Sequence, residues 1–314
     1  MRSLSAIVMF GGVVMMGCAT TYKAGAPKGA VDVIAHRGAS AYAPENTLAA
    51  FALAAEQGAD WFELDCTLSK DGEVIVIHDD DAERTAGGAG KVADLTLAEL
   101  KALDAGSWFD PKFAGEKLPT LGEALDLAKG RIGVYIEIKD SANDGRLSNE
   151  ILKLAGRDRV HFTPGQRRRM MRLIEASGTR NLTLTEKVVD LVRERGMERE
   201  VVIQSFSPII CAVALDKTSR VRVELLGGED EDNPARWPTC MRWCYLLDVR
   251  GFNPDQESLT KERFDCFHRG GRSVAVWTVD APEDMRRFAQ WGVDGIITNK
   301  PDVCLSALRE AGMR

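Results

Sequence analysis

The sequence has no excess of basic residues, and this absence bears on its partners. Its 314 residues include 41 lysines and arginines against 47 aspartates and glutamates, a formal net charge of −6. A protein that binds nucleic acid usually carries a basic face, so the charge balance argues against that class. It does not exclude a small anionic ligand, because a local basic pocket can lie within an acidic protein.

The sequence also lacks the spacings of a zinc site. It contains seven cysteines and four histidines but no CxxC pair and no Cys/His cluster. Cys66 lies within a strand pattern and is expected to be a small buried residue. Cys240 and Cys244 are spaced either for a disulfide or for two thiols on one face of a helix. The pairing of the cysteines other than Cys18 is therefore left open.

The apolar run at the N-terminus is too short for a comfortable membrane span. Residues 3–16, SLSAIVMFGGVVMM, follow a basic Arg2 and have the length of the apolar region of a signal peptide. Gly17-Cys18 then resembles a bacterial lipoprotein box, in which Cys18 would be lipidated. Met15 departs from that pattern, which usually has leucine there. An ordinary cleaved signal and an uncleaved anchor are the alternatives.

These features divide the chain into a signal peptide (1–18), a flexible tether (19–30) and one large domain (31–314). The tether, ATTYKAGAPKGA, is small, polar and unpatterned. No internal repeat and no second domain boundary is visible. A lipidated Cys18 predicts an extracytoplasmic protein anchored to the membrane, at its periplasmic face or at the cell surface.

Short apolar runs alternate with amphipathic helices along the large domain. The predicted strands are residues 31–35, 59–65, 73–78, 132–139, 201–205, 221–226, 246–251, 273–279 and 292–298. Such alternation indicates an α/β fold with a parallel sheet, and the length and strand number favour a TIM-type (β/α)8 barrel. Nine candidates are one more than the barrel needs, and residues 246–251 are the weakest of them.

Two long connections are expected as insertions after strands 3 and 4. Residues 79–118 contain the glycine-rich AGGAG, and residues 141–184 are charged and contain three consecutive arginines at 167–169. The arginines are expected to form a solvated helix face, and the second insertion is expected to lie over the active-site end of the barrel. The connection CTLSKDG (66–72) is too short for a helix and predicts a turn at Asp71-Gly72.

Polar residues stand at the ends of the first four predicted strands. These ends carry, in order, His36 and Arg37, then Glu63 and Asp65, then His78 and Asp79, and finally Glu137 and Lys139. In a parallel barrel the carboxyl ends of the strands meet at one mouth, where active sites are built. Four such ends in succession are hard to explain by stability, because clustered charges are costly without a ligand.

The alternation of side chains along a strand brings the carboxylates together. Glu63 and Asp65 share a face of one strand, and Glu137 and Lys139 share a face of another, while Leu64 and Ile138 point to the helices. Three converging carboxylates would repel one another or take up protons unless a cation lay between them. Oxygen ligands favour one hard divalent cation, Mg²⁺ or Ca²⁺; manganese is also possible, and zinc fits less well.

The remaining polar residues fit the cleavage of a phosphate ester. Arg37 and Lys139 beside a cation are suited to hold phosphate. His36 and His78 can serve as general acid and general base near neutral pH. Phosphodiester hydrolysis needs these parts: charge neutralisation, a base for the nucleophile and an acid for the leaving alkoxide.

Each residue also has a plainer interpretation. His36 alone would be a hydrogen-bonded buried histidine, and Glu63 and Asp65 alone could be salt-bridge partners. Lys139 could simply neutralise Glu137. Residues 79–81, three aspartates, are interpreted as turn and solvent residues without a role. His161 and His268 have no evident partner and are treated as structural.

Several motifs resemble the glycerophosphodiester phosphodiesterase family. They run in order from about residue 32 to 303 and comprise AHRGASAYAPENTLAAF, ELDCTLSKDGEVIVIHD, DLTLAELKALDAG, PTLGEAL, IEIK, QSF, WTVD and DGIITNKPD. The first two, together with IEIK, are highly specific in combination. The chain departs from the family mainly in residues 141–184, which are longer than usual, and in the unfamiliar residues 227–244.

The resemblance implies a fold, a reaction and roles for individual residues. It implies a TIM-type barrel and a divalent-cation-dependent phosphodiesterase. Its implied roles are His36 and His78 as acid and base, Glu63, Asp65 and Glu137 as metal ligands, Arg37 and Lys139 as phosphate ligands, and Trp277 as a wall of the substrate pocket.

The expected reaction splits a glycerophosphodiester into glycerol 3-phosphate and an alcohol. One alternative keeps the site but acts on membrane lipid, as a lysophospholipase D does; an apolar lid in residues 141–184 would favour it, yet that segment is largely polar and basic. The other alternative is a binding lipoprotein with an inactive barrel, which the loss of a histidine or carboxylate would favour, yet every position is filled.

Overall fold

The computed structural model describes residues 31–142, 144–156 and 159–314. The predicted signal peptide, Cys18 and the tether lie outside the described residues. Within the part that is described, no helix is both long enough and apolar enough to cross a membrane.

Parallel strands form a barrel. The described residues form nine strands: β1 (Asp32–Ala35), β2 (Trp61–Leu68), β3 (Val74–Val76), β4 (Gly133–Ile138), β5 (Val201–Ser205), β6 (Arg222–Gly227), β7 (Gly251–Pro254), β8 (Ala275–Val276) and β9 (Gly295–Thr298). Eight of them are parallel in the order β7-β6-β5-β4-β2-β1-β9-β8. Single bridges between Gly251 and Ser273 and between Asp255 and Trp277 join the two end strands. The ring is therefore nearly closed, as the (β/α)8 prediction requires.

Helices surround this barrel. They are α1 (Leu48–Gln57), α2 (Glu83–Ala86), α3 (Leu97–Ala102), α4 (Leu121–Ala128), α5 (Gly145–Ala155), α6 (Pro164–Ser177), α7 (Arg180–Glu194), α8 (Pro208–Lys217), α9 (Arg236–Leu247), α10 (Lys261–Arg269), α11 (Pro282–Trp291) and α12 (Pro301–Glu310), with short 3-10 helices at Val92–Asp94 and Pro111–Phe113. Threonines start several of them; Thr47, for example, accepts a hydrogen bond from the backbone N–H of Ala50 at the start of α1.

The alternation of side chains predicted for the strands is confirmed by the packing. Leu64 and Ile138 belong to the large apolar cluster between barrel and helices. Ile34, Tyr135 and other side chains of the opposite parity form a separate cluster. The strand register pairs Asp65 with Glu137, so the inward-facing polar residues of β2 and β4 lie side by side.

The third predicted strand is not part of the barrel, and this corrects the prediction. β3 is antiparallel to β2, with Val76 opposite Cys66, and joins it through the turn predicted at Asp71-Gly72. The physical reason is the short connection, because a parallel pair needs a crossover of a dozen or more residues. β2 thus runs beyond the barrel, and β3 returns along it and brings His78 back to the mouth.

The weakest strand prediction, residues 246–251, is also wrong. Its first two residues end α9, Asp248 follows with a left-handed φ of 57°, and β7 begins only at Gly251. The surplus candidate was therefore residues 73–78, and the sixth strand of the barrel, β7, lies a few residues further on than predicted.

The second insertion does not lie over the mouth as expected. Its helices α5 and α6 pack on the outside of the barrel: the Phe162 ring lies 6.4 Å from that of Trp243, and His161 Nδ1 lies 2.8 Å from the carbonyl oxygen of Tyr245. Met170 and neighbouring apolar residues of α6 are buried in the main cluster. The insertion therefore buries its apolar side chains against α8 and α9 instead of covering the mouth. Arg168 and Arg169 face solvent, as predicted.

The cysteines of the described residues are free thiols. Cys240 and Cys244 both lie on α9, so their spacing reflects a helix face. Cys66 is fully buried in β2, as the strand pattern predicted.

Gly38 allows the loop between β1 and α1 to lie close against α1, and its substitution tests how much this close contact contributes to stability. Its φ is +81°, and a Cβ there would lie 2.6 Å from the backbone carbon of Ala50. We expect Gly38→Ala to lower the free energy of unfolding by about 2–5 kcal/mol, from left-handed strain plus overpacking. The measurement is urea unfolding followed by circular dichroism.

The matched control for that substitution is Gly115→Ala. Gly115 has a φ of +89°, but a Cβ at this position would have no neighbour within 4 Å among the described residues. It should lose only about 1–2 kcal/mol, the strain contribution alone. Equal losses in the two variants would show that the contact with α1 is not the cause.

Candidate active site

Three carboxylates converge at the mouth of the barrel. Glu63 and Asp65 come from β2 and Glu137 from the neighbouring β4, and one oxygen of each lies within 4.8 Å of the others. Their side chains are almost excluded from solvent, with relative exposures of 1%, 1% and 8%. The structure therefore brings together the three residues predicted as metal ligands.

The electrostatics of this cluster fit a bound cation. Burial and the charges of Asp65 and Glu137 raise the pKa of Glu63 well above its usual value, and burial and Asp65 raise the pKa of Glu137 to about 7. Burial also opposes the charge of Asp65, but Lys139 and Arg37 outweigh it and lower the pKa of that carboxyl. The positive charges of Lys139 and Arg37 thus offset only part of the negative charge of the cluster, and a divalent cation would supply the rest.

The two predicted phosphate ligands flank the acidic cluster. Lys139 Nζ lies 2.8 Å from Glu137 Oε1 and 3.5 Å from Asp65 Oδ1. Arg37 Nε lies 3.2 Å from Asp65 Oδ2, and its backbone N–H donates to Glu63 Oε2 at 2.9 Å. The side chain of Arg37 is 18% exposed and that of Lys139 is 20% exposed, so their free N–H groups can reach a ligand in the mouth.

The two predicted catalytic histidines follow different strands and have different hydrogen-bond partners. His36 follows β1, and its Nδ1 lies 2.7 Å from Asn299 Oδ1. Desolvation and the charge of Arg37 lower the pKa of His36 to about 4, so its ring is neutral at neutral pH. His78 follows β3, and its Nδ1 lies 2.7 Å from Asp79 Oδ1. Asp79 is therefore not the solvent residue expected from the sequence, because it holds a histidine.

Two asparagines that the sequence did not single out hold the site residues. Asn46, buried and with a left-handed φ of 59°, donates to Asp65 Oδ2 at 2.9 Å and accepts from the Asp65 backbone N–H at 3.1 Å. Asn299 contacts His36 and donates to Asp280 Oδ2 at 2.6 Å. In the sequence they were marked only by their positions, Asn46 within PENT and Asn299 within ITNKPD, each shortly before a helix begins.

A cavity of about 230 Å³ lies over these groups. It is lined by His36, Arg37, Glu63, His78, Glu137, Lys139, Gln204, Phe206, Leu226, Trp277, Thr278 and Ile297. The Phe206 and Trp277 rings meet edge to face, 5.6 Å apart, and form an apolar wall opposite the charged groups. Gln204 lines the cavity but was not predicted as a site residue, and its side-chain oxygen accepts a hydrogen bond from Asn253 Nδ2 at 2.9 Å.

The shape of the cavity limits what it can hold. Its volume suits a small phosphodiester, with the phosphate near the charged groups and a short carbon chain against the aromatic wall. No described residue of the 141–184 insertion lines it. A larger cleft of about 640 Å³, bordered by Thr67, Lys91, Asp140 and Arg180, contains none of the predicted site residues.

Comparison with known proteins identifies the family. The model of the glycerophosphoryl diester phosphodiesterase family matches residues 36–174 and 170–303. The chain belongs to that family. A glycerophosphodiester phosphodiesterase of Caldanaerobacter subterraneus is 34% identical to it over 281 residues, 89% of this chain and 98% of the relative. The Bacillus subtilis protein YhdW is 50% identical over 270 residues, 86% of this chain and 95% of the relative.

Solved structures agree with the family in fold. A phosphodiesterase of Oleispira antarctica, in complex with its product sn-glycerol-3-phosphate, matches with a TM-score of 0.70 and 25% identity, covering 89% of this chain and 97% of that one. A glycerophosphodiester phosphodiesterase of Agrobacterium tumefaciens matches with a TM-score of 0.64 and 27% identity, covering 88% and 99%. The predictions of a TIM-type barrel and of a glycerophosphodiester phosphodiesterase are confirmed, whereas the roles of individual residues stay predictions.

Proposed function

We propose that this family member hydrolyses small glycerophosphodiesters to glycerol 3-phosphate and an alcohol in the cavity at the barrel mouth. The observation that carries the proposal is the single 230 Å³ cavity, which is lined by two histidines, two basic side chains and two carboxylates of the acidic cluster, Glu63 and Glu137. Support comes from the Oleispira phosphodiesterase, whose complex holds sn-glycerol-3-phosphate.

In this proposal Glu63, Asp65 and Glu137 hold one divalent cation, Mg²⁺ or Ca²⁺. Carboxylate oxygens are the ligands that these hard cations prefer. When bound, the cation supplies positive charge to the phosphate oxygens and to the developing alkoxide. Arg37 and Lys139 add N–H donors to the same phosphate, and the fork of the arginine suits two of its oxygens.

The histidines move the protons. A glycerophosphodiester carries a hydroxyl adjacent to its phosphate, and this hydroxyl can attack phosphorus without a bimolecular encounter. One histidine accepts the hydroxyl proton as the new O–P bond forms, and the other donates a proton to the leaving alkoxide as the old P–O bond breaks. The product is a cyclic phosphate, which water then opens with the roles of His36 and His78 reversed.

No observation favours the alternative reaction on membrane lipid. That interpretation relied on an apolar lid in residues 141–184, and the described part of this insertion packs on the outside of the barrel. The cavity is also small for a substrate with an acyl chain. No observation favours the alternative of an inactive binding lipoprotein either, because each of the predicted histidines and carboxylates is present at the barrel mouth.

We further propose that lipidated Cys18 anchors the enzyme on the extracytoplasmic side of the membrane, through a tether formed by residues 19–30. Its support is the lipobox-like sequence alone.

The metal proposal is tested with Glu63→Gln, which keeps the shape of the side chain and removes its charge. We expect turnover to fall about 1000-fold or more, because several kcal/mol of charge stabilisation are lost with the cation. Calorimetric titration with Mg²⁺ and Ca²⁺ should show weakened binding. Thermal stability without cation should be unchanged or higher, since one repelling charge is removed.

The control for this variant is Glu150→Gln, on the exposed face of α5. It should bind cation and turn over substrate as the wild type does. Full activity of the wild type in excess chelator, or of Glu63→Gln, would remove the metal site from the mechanism.

The histidine mechanism is tested by substrate and by substitution. His36→Ala and His78→Ala should each lose about 10²–10⁴-fold in turnover, while calorimetry shows that they still bind the cation. The wild type should cleave a diester that lacks the adjacent hydroxyl very slowly, and ³¹P NMR should detect a transient cyclic phosphate with the natural substrate. Rapid cleavage of the deoxy diester would show that water attacks directly.

The anchor is tested by fractionating cells that produce Cys18→Ser. We expect this variant to leave the membrane fraction with unchanged turnover of soluble diesters, because the tether separates the anchor from the barrel. Cys266→Ser, which changes a thiol on α10, should remain membrane-bound. A wild-type protein that is already soluble after export contradicts the proposal.

A further inference from the structure

A continuous chain of ion pairs crosses the rim of the cavity from one catalytic histidine to the phosphate-binding arginine. Asp79, which holds His78, accepts at Oδ2 from Arg84 Nε at 2.6 Å. Arg84 donates with both terminal nitrogens to the two oxygens of Glu45, each at 2.8 Å. Glu45 Oε1 in turn accepts a hydrogen bond from Arg37 Nη1 at 2.8 Å.

The members of this chain come from parts of the fold that are otherwise separate. Arg37 follows β1 of the nearly closed barrel, and Glu45 lies in the loop before α1. His78 and Asp79 follow the three-residue β3 outside the barrel, and Arg84 lies in the short α2. The contacts therefore connect the barrel to its peripheral hairpin beside the cavity.

Packing alone does not set the orientation of His78. Its side chain is 33% exposed and that of Asp79 is 26% exposed, so the ring is held mainly by its hydrogen bond. Asp79 Oδ1 is a carboxylate oxygen, and Nδ1 must therefore donate to it, which leaves Nε2 as the nitrogen free for chemistry. The position of Asp79 in turn depends on Arg84, because no other basic side chain contacts its Oδ2 among the described residues.

Arg84 has the geometry of a two-sided bridge. A guanidinium is planar and offers its N–H groups in a fixed fork, whereas a lysine ammonium is a point charge on a flexible stem. Arg84 uses Nε for one carboxylate and both terminal nitrogens for the other. Glu45 completes the bridge, since it lies between two arginines that would otherwise repel each other.

We propose that Glu45 and Arg84 are positioning residues that hold the His78 imidazole and the Arg37 guanidinium in a fixed relation across the cavity. Neither residue touches the reacting atoms. The acid-base group and the phosphate-binding group then meet the substrate as one unit. The inference rests on the proposed roles of His78 and Arg37.

A purely structural role would give a different result from a positioning role. Exposed ion pairs contribute only about 0–1 kcal/mol each to stability, so loss of the bridge should change thermal unfolding little. A displacement of a reacting group by about 1 Å can lower the rate about 100-fold. Turnover and stability should therefore separate in these variants.

The first experiment measures kcat and KM of Arg84→Gln, Arg84→Lys and Glu45→Gln on a glycerophosphodiester. Arg84→Gln should lower kcat about 10- to 100-fold, and Arg84→Lys should remain impaired because one ammonium cannot contact both carboxylates in this geometry. Glu45→Gln should act mainly on KM, through Arg37. Melting temperatures should stay close to that of the wild type.

Two further experiments distinguish a positioning role from a general loss of structure. Arg84→Gln combined with Asp79→Asn should be no slower than Asp79→Asn alone, because both break the same connection to His78. Arg84→Ala should regain part of its kcat with added guanidinium ion, since the side chain is 45% exposed and its site open to solvent. The control is Arg193→Gln, which removes an arginine of similar exposure, paired with Asp190 on α7 far from the mouth, and should behave as the wild type.

A readout that does not depend on activity is the ¹⁵N NMR spectrum of histidine-labelled protein. His78 should show a single tautomer with the proton on Nδ1, and Arg84→Gln should show averaging of the two nitrogens. Unchanged kcat, KM and tautomer in Arg84→Gln overturn the inference, as do multiplicative losses in the double variant. A wild type that cleaves no glycerophosphodiester refutes the proposed function instead, and the NMR comparison then decides the inference.

Discussion

The repulsion among Glu63, Asp65 and Glu137 governs the organisation of the mouth. Three buried carboxylates within 4.8 Å cannot all be ionised without compensation, and the surrounding side chains supply only part of it. Arg37 and Lys139 turn inward towards Asp65, and Asn46 adds a hydrogen bond to the same carboxylate. The remaining deficit of positive charge is what makes the site suited to a divalent cation and, beside it, to a phosphate diester.

Strand geometry explains why these groups meet. Residues two apart on a strand share a face, and parallel neighbours lie in register, so the pairing of Asp65 with Glu137 places three inward-facing carboxylates on adjacent strands. The wall formed by Phe206 and Trp277 lies across the cavity from them. A phosphodiester with a short carbon chain is complementary to both sides at once, which is why the family and the geometry agree on the same class of substrate.

Most of the barrel and the predicted site residues could be read from the sequence, because both depend on local patterns. Alternation located β1, β2, β4 and β5 closely, and polar strand ends located the acidic cluster. Several of the errors share one cause, because a single segment does not show which distant segments it will contact. The packing of α5 and α6 outside the barrel and the contacts of Asn46 and Asn299 each depend on a distant part of the chain. The direction of β3 and the contacts of Asp79 with His78 and Arg84 are local instead.

The outward extension of β2 divides the molecule into two parts with different mechanical character. The eight-stranded ring is nearly closed without β3, which pairs with the outer half of β2 along one edge and has a single bridge, Ile75 to Thr120, on the other. His36 and the acidic residues therefore belong to the ring, whereas His78 follows a peripheral strand whose Ile75 and Ile77 pack in a smaller apolar cluster of their own, and such units can open locally at a lower free energy. Sequence change in this peripheral unit leaves the register of the barrel intact, so one of the two proposed catalytic histidines can be remodelled during evolution while the acidic cluster is preserved.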